Sequence, residues 1–296
     1  MSRGPRYRGR FAPSPTGPLH FGSLVAAVGS YADALAHGGE WLLRIEDVDE
    51  GRRRPEAETA ILRTLAAHGF RWPEPVARQS RRTSRYREIL ESLLARRLAY
   101  PCACTRREVA HLGRPGVEGP IYPGTCRLGL PPGRTARAVR LRVPDAEICF
   151  EDRRLGRCCQ HLGREVGDFV IRRADGYFAY QLAVVVDDMD QGVTHVVRGA
   201  DLLNSTARQI HLQRLLDAPT PAYLHLPLVL DDRGRKLSKR DATHPVDDAR
   251  PLEGLLAAWR FLGQHPLDPK PPTVAAFWRQ AARRWNPALI PHVSEQ

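Results

Sequence analysis

The chain has 296 residues, 42% of them hydrophobic and 26% charged, with a formal net charge of +12. That is long enough for one large domain or two modest ones with a real core, and the balance is that of a globular protein, not a fibrous or disordered one. No run of about 18 apolar residues occurs, so no membrane span is expected. The basic start, MSRGPRYRGR, lacks the apolar stretch of a secretory signal, so the cytoplasm is expected.

Residues 8–12 read as a short strand running into a Pro turn. Residues 19–36 read as a helix, with Leu24, Val25, Val28, Ala32 and Leu35 at helical spacing and Gly38-Gly39 as its stop. WLLRIED (41–47) is a continuous apolar run ending in acids, the pattern of a buried strand. RPEAETAILRTLAAHG is a second helix, with Gly69 just past its end. This alternation is that of a parallel sheet with crossover helices. A third helix, about 84–97, carries many arginines.

At Tyr100 the texture changes. YPCACTRRE holds a close Cys pair and a capping box from Thr105 to Glu108. A Gly/Pro loop runs to Cys126, and short strands are expected at 138–143, 148–152 and 168–173. The α/β pattern then resumes. FAYQLAVVVDD reads as a helix or strand, THVVRGADLL as strand and loop, and NSTARQIHLQRLLDA as a helix with an Asn/Ser cap. YLHLPLVLDDRGRKLSKR passes from an apolar run through a turn to a basic loop. Two tail helices, 251–262 and 272–285, follow. The expected division is 1–99 and 176–245 as two halves of one α/β domain, 100–175 as an insertion, and 246–296 as a short helical tail.

Two stretches suggest phosphate chemistry. In APSPTGPLHFGSL (12–24) a strand feeds a tight turn and then a helix N-terminus, which directs backbone N–H groups and the positive end of the helix dipole at one spot. His20 at that mouth can donate to a phosphate oxygen, and Gly22 allows close approach. The plain alternative is a turn with a surface His. The second stretch is KLSKR (236–240). Of 45 basic residues only three are lysines, Lys236, Lys239 and Lys270, and two of them fall here. Where positive charge alone suffices the chain uses Arg, so these lysines point to a need for compact ammonium groups. The charge as a whole suits a polyanion such as nucleic acid, although Arg-rich composition alone could produce it. RQSRRTSRYR (78–87) and Arg52 to Arg54 are candidate phosphate contacts.

The six cysteines are 102, 104, 126, 149, 158 and 159. In a cytosolic protein disulfides are not expected. Cys102, Cys104 and Cys126 have the look of three zinc ligands. His111, Tyr122, Cys158 or Cys159 could be the fourth. The loop 113–125 has little else to order it. Cys149 reads as core.

PLHFGS resembles the HIGH motif, and KLSKR the KMSKS motif, of class I aminoacyl-tRNA synthetases. RFAPSPTGPLH, RIEDVD (44–49), FAYQLAVVVDD (178–188) and VVRGADLL (196–203) resemble segments of the glutamyl-tRNA synthetases in particular. The similarity covers about residues 8–245. Two departures stand out: Ser23 replaces the second His of HIGH, and the chain is too short for that family's anticodon-binding domain. The short form with HFGS resembles the glutamyl-Q tRNA(Asp) synthetases, a branch that attaches glutamate to queuosine, the modified wobble base of tRNA(Asp).

The resemblance implies a Rossmann-like catalytic domain with a zinc-bearing insertion. It implies glutamate held by Arg10, Phe11, Ala12, Pro13, Ser14, Glu46, Tyr180 and Arg198, which supply cations for two carboxylates and an anion for the ammonium. It implies ATP held by His20, Gly22, Lys236, Ser238 and Lys239, with Mg²⁺ on the polyphosphate and His20 and Lys239 as catalytic groups. Among the candidate fourth zinc ligands it selects Tyr122. The partners expected are glutamate and tRNA, queuosine-containing tRNA(Asp) above others, with no membrane, and the chain is expected to be a monomer. Two other readings compete: a truncated glutamyl-tRNA synthetase charging a 3′ end, and a non-catalytic RNA-binding relative. Arg10, His20, Glu46 and Lys239 argue against the latter.

Overall fold

The structure is a computed structural model, described for residues 6–49, 51, 53–230 and 245–292. Its elements in order are β1 (Arg8–Phe11), α1 (Phe21–Ala36), β2 (Glu40–Ile45), α2 (Pro55–Ala67), β3 (Ala77–Arg78) and α3 (Thr83–Ala95). There follow β4 (Ala99–Cys102), α4 (Arg106–Leu112), β5 (Pro115–Gly116), β6 (Gly119–Pro120), β7 (Ala138–Leu141), β8 (Glu147–Asp152), β9 (Gly156–His161), α5 (Leu162–Glu165) and β10 (Phe169–Arg172). Last come α6 (Tyr180–Asp190), β11 (His195–Gly199), α7 (Thr206–Leu215), β12 (Ala222–Leu226), α8 (Pro251–Phe261) and α9 (Val274–Arg284).

β1, β2 and β3 run parallel, as do β11, β12 and β8. Thr194, just before β11, links the two sets: its N–H donates to the Arg8 carbonyl at 2.9 Å, and its hydroxyl accepts from Arg8 N–H at 2.8 Å. β9 returns antiparallel to β8 at the edge. Residues 147–161 thus extend the main sheet, although they lie within the stretch read from sequence as an insertion. The rest of that stretch forms its own antiparallel sheet, β10-β7-β4, with the hairpin β5-β6.

The strands are buried on both faces, and their period of two sorts the side chains. Trp41, Leu43 and Ile45 of β2 join the core beneath α1, α8 and α9, whereas Leu42 joins the core beneath α3, α6 and α7. Phe11, Val197, Leu224 and Leu226 take the first face. Arg10, Arg44, Arg198 and His225, one residue out of phase with these, are therefore turned to the second. α1 approaches β12 so closely that a Cβ on Gly29 would lie 2.7 Å from Leu226 Cδ1. No described helix is long and apolar enough to cross a membrane.

Two expectations need correction, and one open reading is resolved. Cys149 and Cys159, opposite each other on β8 and β9, form a disulfide; Cys149 sits on a half-exposed edge hairpin, not in the core. Chain context gave no hint of that pairing, which needs the hairpin register. FAYQLAVVVDD resolves to a helix. And α7 lacks its expected side-chain cap: a 3₁₀ turn over Ala200–Ser205 leads into it, and the Thr206 N–H bonds to the Leu203 carbonyl. The Ser205 hydroxyl instead accepts from Gln181 and Arg208. The capping box of Thr105 and Glu108 is formed at α4.

Candidate active site

Two clefts open at the carboxyl ends of the parallel strands, where open α/β sheets bind ligands. They lie on either side of the 13–16 turn and share Ser14 and Thr16. The larger, about 410 Å³, is lined among others by Phe11, His20, Gly22, Gly199, Asp201 and Val229. The smaller, about 260 Å³, is lined by Glu46, Asp49, Arg53, Arg173 and Tyr180 among others. Pro13 stands at the first cleft, and its carbonyl accepts from the Glu46 N–H at 3.1 Å, tying the two together. Ala12 is half-buried and lines neither.

His20 is the N-cap of α1. Its Nδ1 accepts the Ser23 N–H at 3.3 Å, which leaves Nε2 as the protonated nitrogen of the neutral ring. Imidazole thus replaces the usual Ser or Asp cap and fixes its own orientation at the helix mouth. Gly22 serves that ring first. A Cβ there would lie 3.1 Å from His20 Cε1 and 3.2 Å from Nδ1. Ser23 contributes its backbone, not its hydroxyl, to this cap. Lys236, Ser238 and Lys239 lie outside the described residues, as does Arg52.

Behind the smaller cleft is a dense charge cluster. Arg44, fully buried on β2, donates to Asp188 at 2.7 Å and to Gln191 Oε1 at 2.6 Å, and its guanidinium lies 3.7 Å from both Asp187 and Glu46. Arg10, on β1, pairs with the same Asp188 at 3.2 Å. Burial disfavours the Asp188 anion, but Arg10 and Arg44 outweigh it and hold its carboxyl below the ordinary range. Glu46 fares differently. Burial pushes its pKa up to about 7, against the pull of Arg44 and Arg10 and with the help of Asp188 and Asp187. Its Oε1 is buried without a hydrogen-bond partner. A buried carboxylate edge short of a donor is what an incoming ammonium would satisfy. Tyr180 opens α6 beside this group: burial and then Glu46 push its phenol up to about 12, while Arg198 and Arg10 pull it down. Arg10, Glu46, Tyr180 and Arg198 are thus brought within electrostatic reach of one another.

Arg198 is buried too, and its bonds run to neutral acceptors: His225 Nε2 at 3.2 Å, Gln209 Oε1 at 2.7 Å, Thr206 Oγ1 at 2.8 Å and the Leu202 carbonyl at 3.3 Å. His225 in turn lies 2.7 Å from Asp152 through Nδ1.

Sequence reading missed Arg44, Asp187, Asp188, Asp152 and His225. The signal available was the pair of acids closing an otherwise apolar helix, in a chain whose strands carry arginines. Arginines just before the third helix and in its first turn are paired, mostly with acids of α2 and α6. Arg82 pairs with Asp187 and Asp190, Arg85 with Asp190 and Glu88, and Arg78 with Glu58.

In the insertion, Cys102, Cys104 and Cys126 bring their sulfurs within 4.8 Å of one another and could hold a metal ion. Cys104 and Cys126 Sγ are 3.7 Å apart, and Tyr122 Oη lies 3.4 Å from Cys102 Sγ and 3.5 Å from Cys104 Sγ. The surrounding cluster is small: Tyr100, Ala103 and Val109 complete it. His111 and Cys158 are not part of it, and Cys159 is in the disulfide.

Residues 6–250 match the family model of class I tRNA synthetases (E and Q), catalytic domain. The chain is 55% identical over 287 residues to a protein of Janthinobacterium sp. (strain Marseille) named glutamyl-Q tRNA(Asp) synthetase, covering 95% of this chain and 97% of that one. It is 54% identical over 291 residues to the protein of the same name from Dechloromonas aromatica (strain RCB), covering 97% of each. Among solved structures, it superposes on a glutamate tRNA ligase from Elizabethkingia meningosepticum, crystallised with its amino acid, with a TM-score of 0.79 and 27% identity. That match takes in 96% of this chain and 66% of the ligase, so the chain spans about two thirds of it. With the sheet, the paired clefts and the sequence match in agreement, the chain belongs to the class I tRNA synthetases of the glutamyl and glutaminyl (E and Q) group.

Proposed function

We propose that this protein activates glutamate with ATP and transfers it to the queuosine base at the wobble position of tRNA(Asp). The observation that carries this is the 55% identity, spread over almost the whole of relatives bearing the glutamyl-Q tRNA(Asp) synthetase name. The site offers the right chemistry beside it. Glu46, whose buried Oε1 accepts no hydrogen bond, takes the ammonium of glutamate. Arg10 and Arg198, with Tyr180, take its carboxylates. Phe11, Ala12, Pro13 and Ser14 shape the wall between amino acid and nucleotide.

The α-carboxylate attacks the α-phosphorus of ATP, and pyrophosphate departs. In such transfers the protein chiefly positions groups and stabilises charge. His20 donates from Nε2 to a phosphate oxygen at the α1 N-terminus, and Gly22 leaves room for the His20 ring. Lys239, with Lys236 as helper, neutralises charge on the leaving pyrophosphate, and Ser238 joins them in binding ATP. Mg²⁺ accompanies the nucleotide. A hydroxyl of the queuosine then attacks the mixed anhydride and releases AMP. The chain acts as a monomer in the cytoplasm, where tRNA is found.

Residues 1–99 and 176–245 serve as the catalytic unit, 100–175 as the insertion that receives the RNA, with β8 and β9 lent back to the sheet, and 246–296 as a supporting tail. A structural zinc ion held by Cys102, Cys104, Tyr122 and Cys126 orders the insertion. Its fit rests on distances. Zinc bonds of about 2.3 Å to sulfur and about 2.0 Å to oxygen, arranged tetrahedrally, imply S···S edges of about 3.8 Å and S···O edges of about 3.5 Å. The 3.7, 3.4 and 3.5 Å separations match those edges.

The test supplies labelled glutamate and ATP with three RNAs: tRNA(Asp) containing queuosine, tRNA(Asp) lacking it, and tRNA(Glu). Label on the first alone is the expected result. Label on tRNA(Glu) would mean a truncated charging enzyme and overturn the proposal.

A further inference from the structure

The bonds around Arg198 extend to a part of the fold with no evident link to catalysis. Arg198 Nε–H donates to His225 Nε2 at 3.2 Å. A nitrogen that accepts carries no proton, so His225 must hold its proton on Nδ1. That nitrogen faces Asp152 Oδ2 at 2.7 Å, and the His225 backbone N–H donates to the same oxygen at 3.1 Å. The other Asp152 oxygen accepts the N–H groups of Arg154 and Leu155 at 2.9 and 3.0 Å. Asp152 therefore receives four donors, is almost fully buried, and cannot turn. His225 and Asp152 side chains are both 0% exposed.

We infer that Asp152 and His225 are positioning residues for Arg198: a carboxylate–imidazole–guanidinium relay that presets the guanidinium for the substrate carboxylate. This rests on the reading of Arg198 as a glutamate ligand. Of the five N–H donors of an Arg, four are taken by His225, Gln209, Thr206 and Leu202. The fifth, on Nη1, remains for substrate, and its direction depends on the plane of the guanidinium. The His225 bond, made through Nε at the stem of that plane, sets its rotation. Asp152 ends β8, so the edge hairpin closed by the Cys149–Cys159 disulfide supports the amino-acid site through this relay.

Asp152→Asn breaks the relay without changing shape. If its amide oxygen keeps the Arg154 and Leu155 N–H groups, its NH₂ faces His225 Nδ1 and gives up the bond from the His225 backbone N–H. The ring must then take its proton on Nε2, where it meets the Arg198 donor. His225→Asn is the second variant. Its Nδ2–H can keep a bond to Asp152, but its Oδ1 then falls near the place of Cδ2, so the acceptor at the position of Nε2 that Arg198 uses is lost. Both should raise the KM for glutamate about tenfold in pyrophosphate exchange and leave the KM for ATP unchanged. Nitrogen-15 spectra of histidine-labelled protein should place the His225 proton on Nδ1 in the parent and on Nε2 in Asp152→Asn. Arg198→Lys is run alongside. If it leaves the glutamate KM unchanged, the reading of Arg198 fails and the relay with it. If it raises that KM but folded His225→Asn does not, the relay alone is overturned. A parent His225 carrying its proton on Nε2 overturns the relay independently.

Discussion

Glu46→Gln is the most discriminating substitution, because it should make the protein more stable and less active together. The Glu46 side chain is 9% exposed, and burial first, then Asp188 and Asp187, raise its pKa from 4.5 to about 7. A raised carboxyl pKa means that the folded state holds this proton more tightly than the unfolded chain does. The stability that Glu46 contributes in its neutral form is therefore complete below pH 4.5 and is lost as pH climbs toward 7. Each pKa unit corresponds to about 1.4 kcal/mol, so the ionised side chain costs the fold about 3 kcal/mol above pH 7. Gln mimics the neutral form. At pH 8 the variant should exceed the parent by up to about 3 kcal/mol in urea unfolding; at pH 4.5 the two should be nearly alike. Pyrophosphate exchange should fall about a hundredfold in kcat/KM for glutamate, the loss expected when a charged hydrogen-bond partner goes. In the parent, the glutamate KM should rise as pH drops below 7, since the ammonium needs the ionised form. A variant no more stable than the parent at pH 8, with the same difference at both pH values, would refute the assignment of a strained, ionisable Glu46.

Gly22→Ala should press on His20, whose ring atoms would lie 3.1 and 3.2 Å from the new Cβ; about a tenfold loss in kcat/KM for ATP, with fold stability little changed, is expected from exchange kinetics. Arg44→Met should destabilise by about 3–5 kcal/mol in denaturant titration, because it leaves Asp187, Asp188 and Glu46 facing one another around an uncharged side chain. Removal of metal by a strong chelator should release one zinc per chain, measured colorimetrically. It should also open the 102–126 loop to protease while the sheet core stays protected, since the cluster around the cysteines is too small to hold itself.

The sequence by itself determined the alternation of strands and helices, the Pro/Gly turn ahead of α1 and the three-cysteine cluster. Those features are local: periodicity, a Pro/Gly turn and Cys spacing are written into short segments and survive without tertiary context. It also named Arg10, Glu46, Tyr180 and Arg198, through resemblance to a family. Only the tertiary structure decided how they are arranged. Parallel pairing of β1, β2, β11 and β12 turns Arg10, Arg44, Arg198 and His225 to one face, and no single segment reveals that shared phase. Asp187 and Asp188 looked like the end of a helix; packing against Arg10 and Arg44 made them the counter-ions of the site. Asp152 and Cys149 looked like parts of an insertion, and strand pairing gave one to the catalytic sheet and the other to a disulfide. Charge pairing inside a fold acts over a few ångströms between residues a hundred or more positions apart, so the sequence can supply the partners but only the fold can introduce them.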